Sequence, residues 1–135
     1  TNKTMQPVEE GYYLKNPKAH QKKLRYFPWY GRGDVQLTWE KNYREADQAL
    51  GLNGELIKNP DLALDPATSA RILVWGMRNG KFTGKGLKHY LPEKGPADHR
   101  QFVLARYIIN GQDKAREIAD IALQFQTALA LGKWA

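Results

Sequence analysis

Two adjacent carboxylates near the start of the chain are the first groups whose type suits acid–base chemistry. Glu9 and Glu10 lie in a segment that also carries Gln6, Tyr12 and Tyr13. A carboxylate held among aromatic rings and amides can be tuned to act as a general acid or base. Adjacent glutamates are also, and more often, a solvated charge pair, so local sequence leaves both interpretations open.

A second group of polar residues lies in WYGRGDVQLTWEKNY, residues 29–43. Its two glycines flank an arginine, which is typical of a tight backbone path where a Cβ atom is not tolerated. Neutral donors and acceptors follow at short intervals: Gln36, Thr38 and Asn42. Such groups suit a ligand rich in hydroxyls and amides better than a phosphate chain.

Aromatic side chains surround this stretch: Tyr26, Phe27, Trp29, Tyr30, Trp39 and Tyr43. Their flat faces could bind a ligand or fill the core. For Trp39 and Tyr43 the spacing favours the core, because both fall on the predicted buried face of the following helix.

Other chemistries have little support in the sequence. His20, His89 and His99 are far apart and the chain has no cysteine, so we expect no metal site and no cofactor. No phosphate-binding loop is present, and Ser69 is the only serine and falls inside a predicted helix. A nucleophilic triad is therefore not predicted.

Composition describes an ordinary globular chain whose charge favours an anionic partner. The 135 residues fit one domain, with 41% hydrophobic and 26% charged residues. The net charge of +7 indicates nucleic acid, a membrane surface or an acidic cell-wall polymer. No apolar run is long enough to span a bilayer. The absence of cysteine leaves the cellular compartment unknown.

The elements that must position these residues are predicted to be helices. Residues 1–28 are interpreted as a long irregular segment with a short helix over residues 17–24. Thr38 is a good N-cap for a helix over residues 39–50, and Gly51 suits its C-terminal end. Trp39, Tyr43, Ala46 and Leu50 form its apolar face.

Three further helices complete a mainly α single domain. Asp65 and Pro66 begin a helix that Gly80 ends, with a buried face expected at Ala70, Leu73, Val74 and Met77. One helical turn is expected over residues 87–90. A third helix covers residues 98–109 and buries Phe102, Ala105 and Ile109. Asp113 begins the last helix, whose apolar stripe consists of Ile118, Ile121, Ala122, Phe125 and Leu129.

The motif YGRGDVQLTWEKNY resembles the signature of family 19 glycoside hydrolases, the chitinases and related phage or bacterial endolysins. The likeness continues in NPDLALDP, VWGM and RYIING, in the order of the family. TMQPVEEGYYL and GKFTGKGL are most similar to its compact bacterial and phage branch. The resemblance implies a lysozyme-like, α-rich fold and hydrolysis of β-1,4 bonds in polymers of N-acetylglucosamine, with inversion at the anomeric carbon.

The resemblance also implies a role for individual residues. Glu10 matches the general base, with Glu9 as the alternative one position away, and Thr38 matches the hydroxyl residue that helps to hold the attacking water. Five positions match substrate-binding residues of the family: Tyr30, Gln36, Asn42, Asn110 and Arg116.

One departure concerns the general acid. In this family it is the glutamate of a His-Glu-Thr or His-Glu-Ser motif, and Thr1 resembles the last residue of that motif. We therefore expect residues 1–135 to be a catalytic domain without the helix that carries the proton donor. The chain alone is then expected to be inactive or nearly so, because general acid–base catalysis contributes a factor of about 10² to 10⁴ in rate.

Three functions follow from these observations. The favoured one is a glycosidase acting on chitin or peptidoglycan as a monomer, with no nucleic acid and no stable membrane association. The second is a cell-wall or chitin-binding module without catalysis. The third is a nucleic-acid binder that uses KKLRYFPWYGRG as an aromatic and basic surface, although Gln36, Thr38 and Asn42 are neutral.

Overall fold

A computed structural model describes residues 26–134 of the chain. Helices are the main regular structure of these residues, and the one pairing of extended backbone among them is an antiparallel bridge between Arg32 and Leu37. The prediction of a mainly α fold is confirmed. The short helix predicted over residues 17–24 lies outside the described residues.

The chain divides into two compact units, Thr1–Trp75 and Gly76–Ala135. One helix, Pro66–Asn79, crosses the division between them. A single catalytic domain over residues 1–135 stays a prediction, and the two units are described separately below.

The first unit contains the motif stretch, residues 29–43, and the helices that follow it. These helices are α1 (Glu40–Leu50), the short α2 (Glu55–Lys58), a 3₁₀-helix (Pro60–Leu64) and the first part of α3 (Pro66–Asn79). Six apolar side chains form the buried core of the unit: Leu37, Tyr43, Ala46, Leu56, Ala63 and Ile72.

The C-terminal end of α1 is as predicted, whereas its N-terminal cap is not. Gly51 ends the helix with a φ of 66°, as expected from its position. The N-cap residue is Trp39 and no side chain caps the helix, so the prediction that Thr38 caps α1 is wrong. The Thr38 hydroxyl instead donates to the carbonyl of Gln36 at 2.8 Å, because the chain bends back on itself before the helix begins.

Helix α3 begins where the sequence predicts. The Asp65 carboxylate accepts hydrogen bonds from the backbone N–H and the hydroxyl of Thr68, both at 2.9 Å. These bonds lower the pKa of Asp65, as expected for an N-capping carboxylate that is stabilised in its charged form.

The buried face of α3 is not the predicted one. Ala70 and Val74 are exposed, whereas Thr68, Ser69, Ile72 and Gly76 are buried. The reason is that Ser69 makes hydrogen bonds to the motif stretch, so the contact face includes hydroxyl residues that an apolar pattern does not detect.

The second unit consists of a 3₁₀-turn at Leu87–His89, helix α4 (His99–Ala105), a 3₁₀-turn at Arg106–Ile108 and helix α5 (Ala115–Leu131). The turn predicted near residue 87 is confirmed. The third predicted helix is shorter than expected, since its last residues tighten into the second 3₁₀-turn. That turn buries Ile108, whereas Phe102, Ala105 and Ile109 are only half-buried.

Helices α4 and α5 pack against each other. Ala115 and Ala119 of α5 are buried, and Gln126 bonds both backbone groups of Ala97 at 2.9 Å. The predicted apolar stripe of α5 is present, but Ile118, Ile121, Phe125 and Leu129 are exposed. Helix α5 begins at Ala115, two residues after the predicted start.

Candidate functional site

The motif loop, residues 31–38, is a closed and rigid turn. The Arg32 and Leu37 backbones exchange two hydrogen bonds, at 3.1 and 2.9 Å, and Gln36 N–H donates to the carbonyl of Gly33 at 3.1 Å. Gly33 has a φ of 77°, and a Cβ there would lie 2.6 Å from the carbonyl oxygen of Ala63. The prediction that the backbone excludes a side chain is confirmed at this glycine.

Arg32 is the buried centre of the motif loop. Its side chain is 4% exposed and donates to Asp61 at 2.8 Å, to the Pro28 carbonyl at 2.8 Å and to the Tyr43 hydroxyl at 2.9 Å. The guanidinium carbon also lies 4.0 Å from the centre of the Tyr30 ring. One side chain thereby joins the motif loop to α1 and to the 3₁₀-helix.

Tyr43 completes this network from the first turns of α1. Its hydroxyl accepts from Arg32 and donates to the Tyr30 carbonyl at 2.7 Å. Burial raises the pKa of Tyr43 to about 12 even though Arg32 lowers it. Burial also lowers the pKa of Arg32, but its bonds to Tyr43 and Asp61 outweigh this and raise it, so the guanidinium stays charged.

The motif loop is fastened to α3 by Ser69. The Ser69 hydroxyl donates to the Asp34 carboxylate at 2.7 Å and accepts from the Asp34 backbone N–H at 2.9 Å. Ser69 is 1% exposed, so this contact is inside the unit although Asp34 itself is exposed. Neither Arg32 nor Ser69 was predicted as a site residue, because their partners lie 29 and 35 positions away in the sequence.

Three predicted polar residues are brought together on this loop and the start of α1. The Gln36 side chain donates to the Gly33 carbonyl at 3.1 Å, and the Asn42 side chain donates to the Thr38 carbonyl at 2.7 Å. The Thr38 hydroxyl donates its proton to the Gln36 carbonyl. The hydroxyl oxygen of Thr38 can therefore accept hydrogen bonds from a ligand or water.

The aromatic residues of this region divide between core and surface. Tyr43 is fully buried, as predicted, and the centre of its ring lies 5.3 Å from the centre of the Trp29 ring. Trp39 is 41% exposed, so its predicted place in the core is wrong. The reason is that α1 begins after Trp39, which gives this residue a different backbone conformation from that of the helix.

The remaining predicted site residues lie in the second unit or outside the described residues. Asn110 and Arg116 are exposed residues of the second unit, where the Asn110 side chain accepts from the Gly111 N–H at 2.8 Å. Glu9 and Glu10 lie outside the described residues. The catalytic and substrate-binding roles of all these residues stay predictions.

Two further features of residues 26–134 bear on function. No helix there has the length and apolarity required to cross a membrane. Within the same residues, no three side chains among His, Asp and Glu are grouped as a metal ion would require.

Comparison with known proteins identifies relatives of one kind. The sequence pattern of the family described as chitinase class I matches residues 8–84, more than half of the chain. The acidic 26 kDa endochitinase of Solanum lycopersicum is 48% identical over 48 residues, which are 35% of this chain and 19% of that protein. Chitinase 11 of Oryza sativa subsp. japonica is 49% identical over 49 residues, 36% of this chain and 18% of the relative.

A third relative carries a different description. Inactive chitinase-like protein 1 of Hevea brasiliensis is 48% identical over 48 residues, 35% of this chain and 15% of the relative. The match thus spans less than a fifth of the length of each of these three proteins. No solved structure matches the chain. Because the family pattern covers most of the motif loop's unit and more than half of all residues, this chain belongs to the class I chitinase family of glycoside hydrolases.

Proposed function

We propose that this protein hydrolyses β-1,4 bonds in polymers of N-acetylglucosamine, with inversion at the anomeric carbon. The observation that carries the proposal is the rigid motif loop of a chitinase-family chain, which holds Gln36, Thr38 and Asn42 together. Neutral amide and hydroxyl groups next to exposed aromatic rings suit a sugar, which offers hydroxyls at its edge and C–H groups on its face.

In the proposed mechanism Thr38 helps to hold the attacking water. Its proton is committed to the Gln36 carbonyl, so its oxygen accepts a hydrogen bond from the water. A carboxylate then removes the other proton as the water attacks. Glu10 is the proposed base and Glu9 the alternative. An inverting enzyme also needs a carboxylic acid on the other side of the bond, and no residue of this chain is assigned that role.

Substrate binding is proposed for residues of both units. In the first unit Tyr30, Gln36 and Asn42 are proposed to contact the sugar. Arg32 positions Tyr30, because its guanidinium contacts the Tyr30 ring and donates to the Tyr30 carbonyl. Asn110 and Arg116 are the proposed substrate-binding residues of the second unit. Peptidoglycan is favoured over chitin because a chain with a net charge of +7 is attracted to a polymer that carries carboxylates.

The test is made on the protein as it is expressed from its own gene. Thr38→Val removes the hydroxyl with little change in volume and is expected to slow the release of reducing ends from chitin hexasaccharide at least about tenfold. Thr127→Val is the matched control, because the Thr127 hydroxyl also donates to a backbone carbonyl, at 3.0 Å, and lies on an exposed helix. Equal loss of rate in both variants would contradict the role of Thr38.

A second set of variants identifies the base. Replacing the general base is expected to lower the rate of hydrolysis about 10² to 10⁴-fold. The rates of Glu10→Gln and Glu9→Gln are therefore compared, and circular dichroism verifies that both variants are folded like wild type. Proton NMR of the first product then gives its anomeric form, and α-anomer from a β-linked substrate identifies inversion. A β-anomer as first product would exclude the mechanism.

A binding module without catalysis is the second candidate. It is favoured by the relative from Hevea brasiliensis, which is named an inactive chitinase-like protein. If the full-length protein binds chitin hexasaccharide or peptidoglycan but releases no reducing ends, this second function replaces the first.

A further inference from the structure

Trp39 has a backbone conformation that is unfavourable for a tryptophan. Its φ and ψ are 74° and 138°, in a region that is readily adopted only by glycine. The Cβ atom makes this conformation costly, and a glycine at the same position would form the same chain path with less strain. The indole is therefore not needed for the local fold, and its position calls for an explanation in terms of the side chain.

The surrounding backbone holds Trp39 in this conformation. Its N–H donates to the Trp29 carbonyl at 2.7 Å, and its own carbonyl accepts from the N–H groups of Asn42 and Tyr43 at 3.0 and 3.2 Å. The backbone N–H and the backbone carbonyl of Trp39 are thus both hydrogen-bonded. The direction of the Cα–Cβ bond is consequently set by the backbone.

The indole is also supported from the side while much of it stays accessible. The Tyr26 ring meets it edge-on, with the ring centres 5.2 Å apart and the planes at 82°. This contact restricts the ring, yet 41% of the residue is exposed. A tryptophan that is rigid and open to solvent has the properties of a binding platform, since little entropy is lost when a flat ligand stacks on it.

The charges near Trp39 favour a neutral ligand over a polyanion. On the first two turns of α1, Arg44 pairs with Glu40 at 2.6 Å and Lys41 with Glu45 at 3.9 Å. These four charges cancel, although the chain as a whole is basic. A nucleic-acid surface would need uncompensated cations here.

We propose that Trp39 is a sugar-stacking residue of this chain, with its indole packed on the pyranose face of an N-acetylglucosamine unit. The hydroxyl of the preceding residue, Thr38, and the amide of Asn42 then lie close along the chain to bond the sugar's polar edge. This inference rests on the proposed function and adds to it a residue that determines affinity for the saccharide.

The test compares Trp39→Ala and Trp39→Gly in the 135-residue chain, with binding of chitin hexasaccharide measured by calorimetry. Both variants lack the indole, so both are expected to bind about tenfold more weakly or worse. They differ by one methyl group: the relief of backbone strain in the glycine variant exceeds the entropy that glycine loses on folding, so this variant is expected to melt about 2 to 8 °C above the alanine variant. Trp39→Tyr keeps an aromatic face and is expected to recover part of the affinity. Trp134→Ala, at a residue that is 82% exposed, is the control and should bind like wild type.

The outcomes separate this inference from the proposed function. If wild type and Trp39→Ala bind the hexasaccharide equally, the stacking role is overturned while the proposed function stands. If wild type binds neither hexasaccharide nor peptidoglycan, the proposed function and this inference fall together. A purely structural role for the indole predicts that binding of the variants declines in step with their melting temperatures, so weak binding by a well-folded Trp39→Gly variant supports stacking. Should Trp39→Ala not fold, the Gly and Tyr variants give the same decision.

Discussion

At the scale of single residues, Arg32 determines the form of the motif loop. A buried guanidinium is costly unless its N–H groups are bonded, and here they reach two backbone carbonyls, a phenol and a carboxylate. The partner carboxylate, Asp61, is 65% exposed, so the ion pair itself contributes little. The larger contribution comes from the hydrogen bonds that Arg32 donates to the Pro28 carbonyl and to the Tyr43 hydroxyl oxygen.

Replacing Arg32 is therefore expected to destabilise the fold strongly. Arg32→Met should lower the free energy of unfolding by about 2 to 4 kcal/mol, because buried acceptors lose their donor. Urea denaturation followed by circular dichroism gives the value. Arg44→Met is the control: its pair with Glu40 is exposed on both sides and should be worth about 0.5 kcal/mol or less. Similar urea midpoints for the two variants would refute the central role of Arg32.

The buried phenol of Tyr43 predicts a loss of stability at alkaline pH. Its pKa is raised to about 12, against about 10 in an unfolded chain, so the folded state retains the proton longer. Stability from this group is fully present below about pH 10 and is lost as the pH rises towards 12. The loss amounts to about 2 to 3 kcal/mol at the upper end of that window.

Urea denaturation at intervals from pH 9 to 12 measures this dependence. Wild type should lose more stability over the window than Tyr43→Phe, which has no proton to release. Tyr107→Phe, at a tyrosine that is 42% exposed, should behave like wild type. An identical pH profile for wild type and Tyr43→Phe would show that the phenol does not titrate as its burial requires.

At the scale of elements, the motif loop is positioned by close contact with its neighbours. Gly33 lies against the carbonyl of Ala63 in the 3₁₀-helix and the hydroxyl of Ser69 in α3. Arg32 and Asp34 on either side bond to those same elements. The loop is therefore held against two elements, the 3₁₀-helix and α3, which preorganises its polar side chains.

Two glycines with similar φ angles, 77° at Gly33 and 66° at Gly51, distinguish the effect of this contact from that of backbone strain. Gly33 and Gly51 both have positive φ, but nothing lies within 4 Å of a Cβ built at Gly51, whereas one at Gly33 would meet Ala63 at 2.6 Å. Gly51→Ala should cost about 1 to 2 kcal/mol from strain alone. Gly33→Ala should cost about 2 to 5 kcal/mol, since steric overlap is added.

Thermal unfolding of the two alanine variants provides the measurement. The expected order is wild type, then Gly51→Ala, then Gly33→Ala. Hexasaccharide binding should weaken only in the last of these, because only that substitution displaces the motif loop. The reverse order of melting temperatures would mean that the loop is loosely held.

At the scale of the whole molecule, charge governs the encounter with substrate. The chain carries a net +7, while the charges on the first turns of α1 are paired. Long-range attraction therefore arises from the overall excess of cations and not from the site itself. Screening by salt should reduce this attraction without altering contacts within the site.

Salt is thus expected to act differently on the two proposed substrates. Raising the ionic strength from about 0.05 to 0.5 M should weaken binding to peptidoglycan several-fold, because its carboxylates attract a basic protein. Affinity for the neutral chitin hexasaccharide should change less than twofold over the same range. Sedimentation with purified cell walls and calorimetry with the hexasaccharide measure the two affinities. Equal salt dependence for both would exclude charge as the source of any preference.

The sequence by itself determined the helical class, the extents of α1 and α3 and the group of polar residues on the motif loop. These features are local: the cap at Asp65, the left-handed glycine at position 51 and the short spacing of Gln36, Thr38 and Asn42 depend on neighbours along the chain. Local patterns also predicted Tyr43 correctly as core, because its position on α1 settles its burial.

Only the tertiary structure decided which side chains hold the motif loop and which face of each helix is covered. Arg32 is buried because its partners arrive from residues far along the chain, and Ser69 is in the contact face of α3 because it bonds Asp34. Apolar periodicity cannot detect a buried residue that is satisfied by hydrogen bonds. Apolar periodicity also fails at Trp39, whose spacing predicts burial. The bend that precedes α1 places this residue at the surface instead, where its indole is accessible to the proposed sugar.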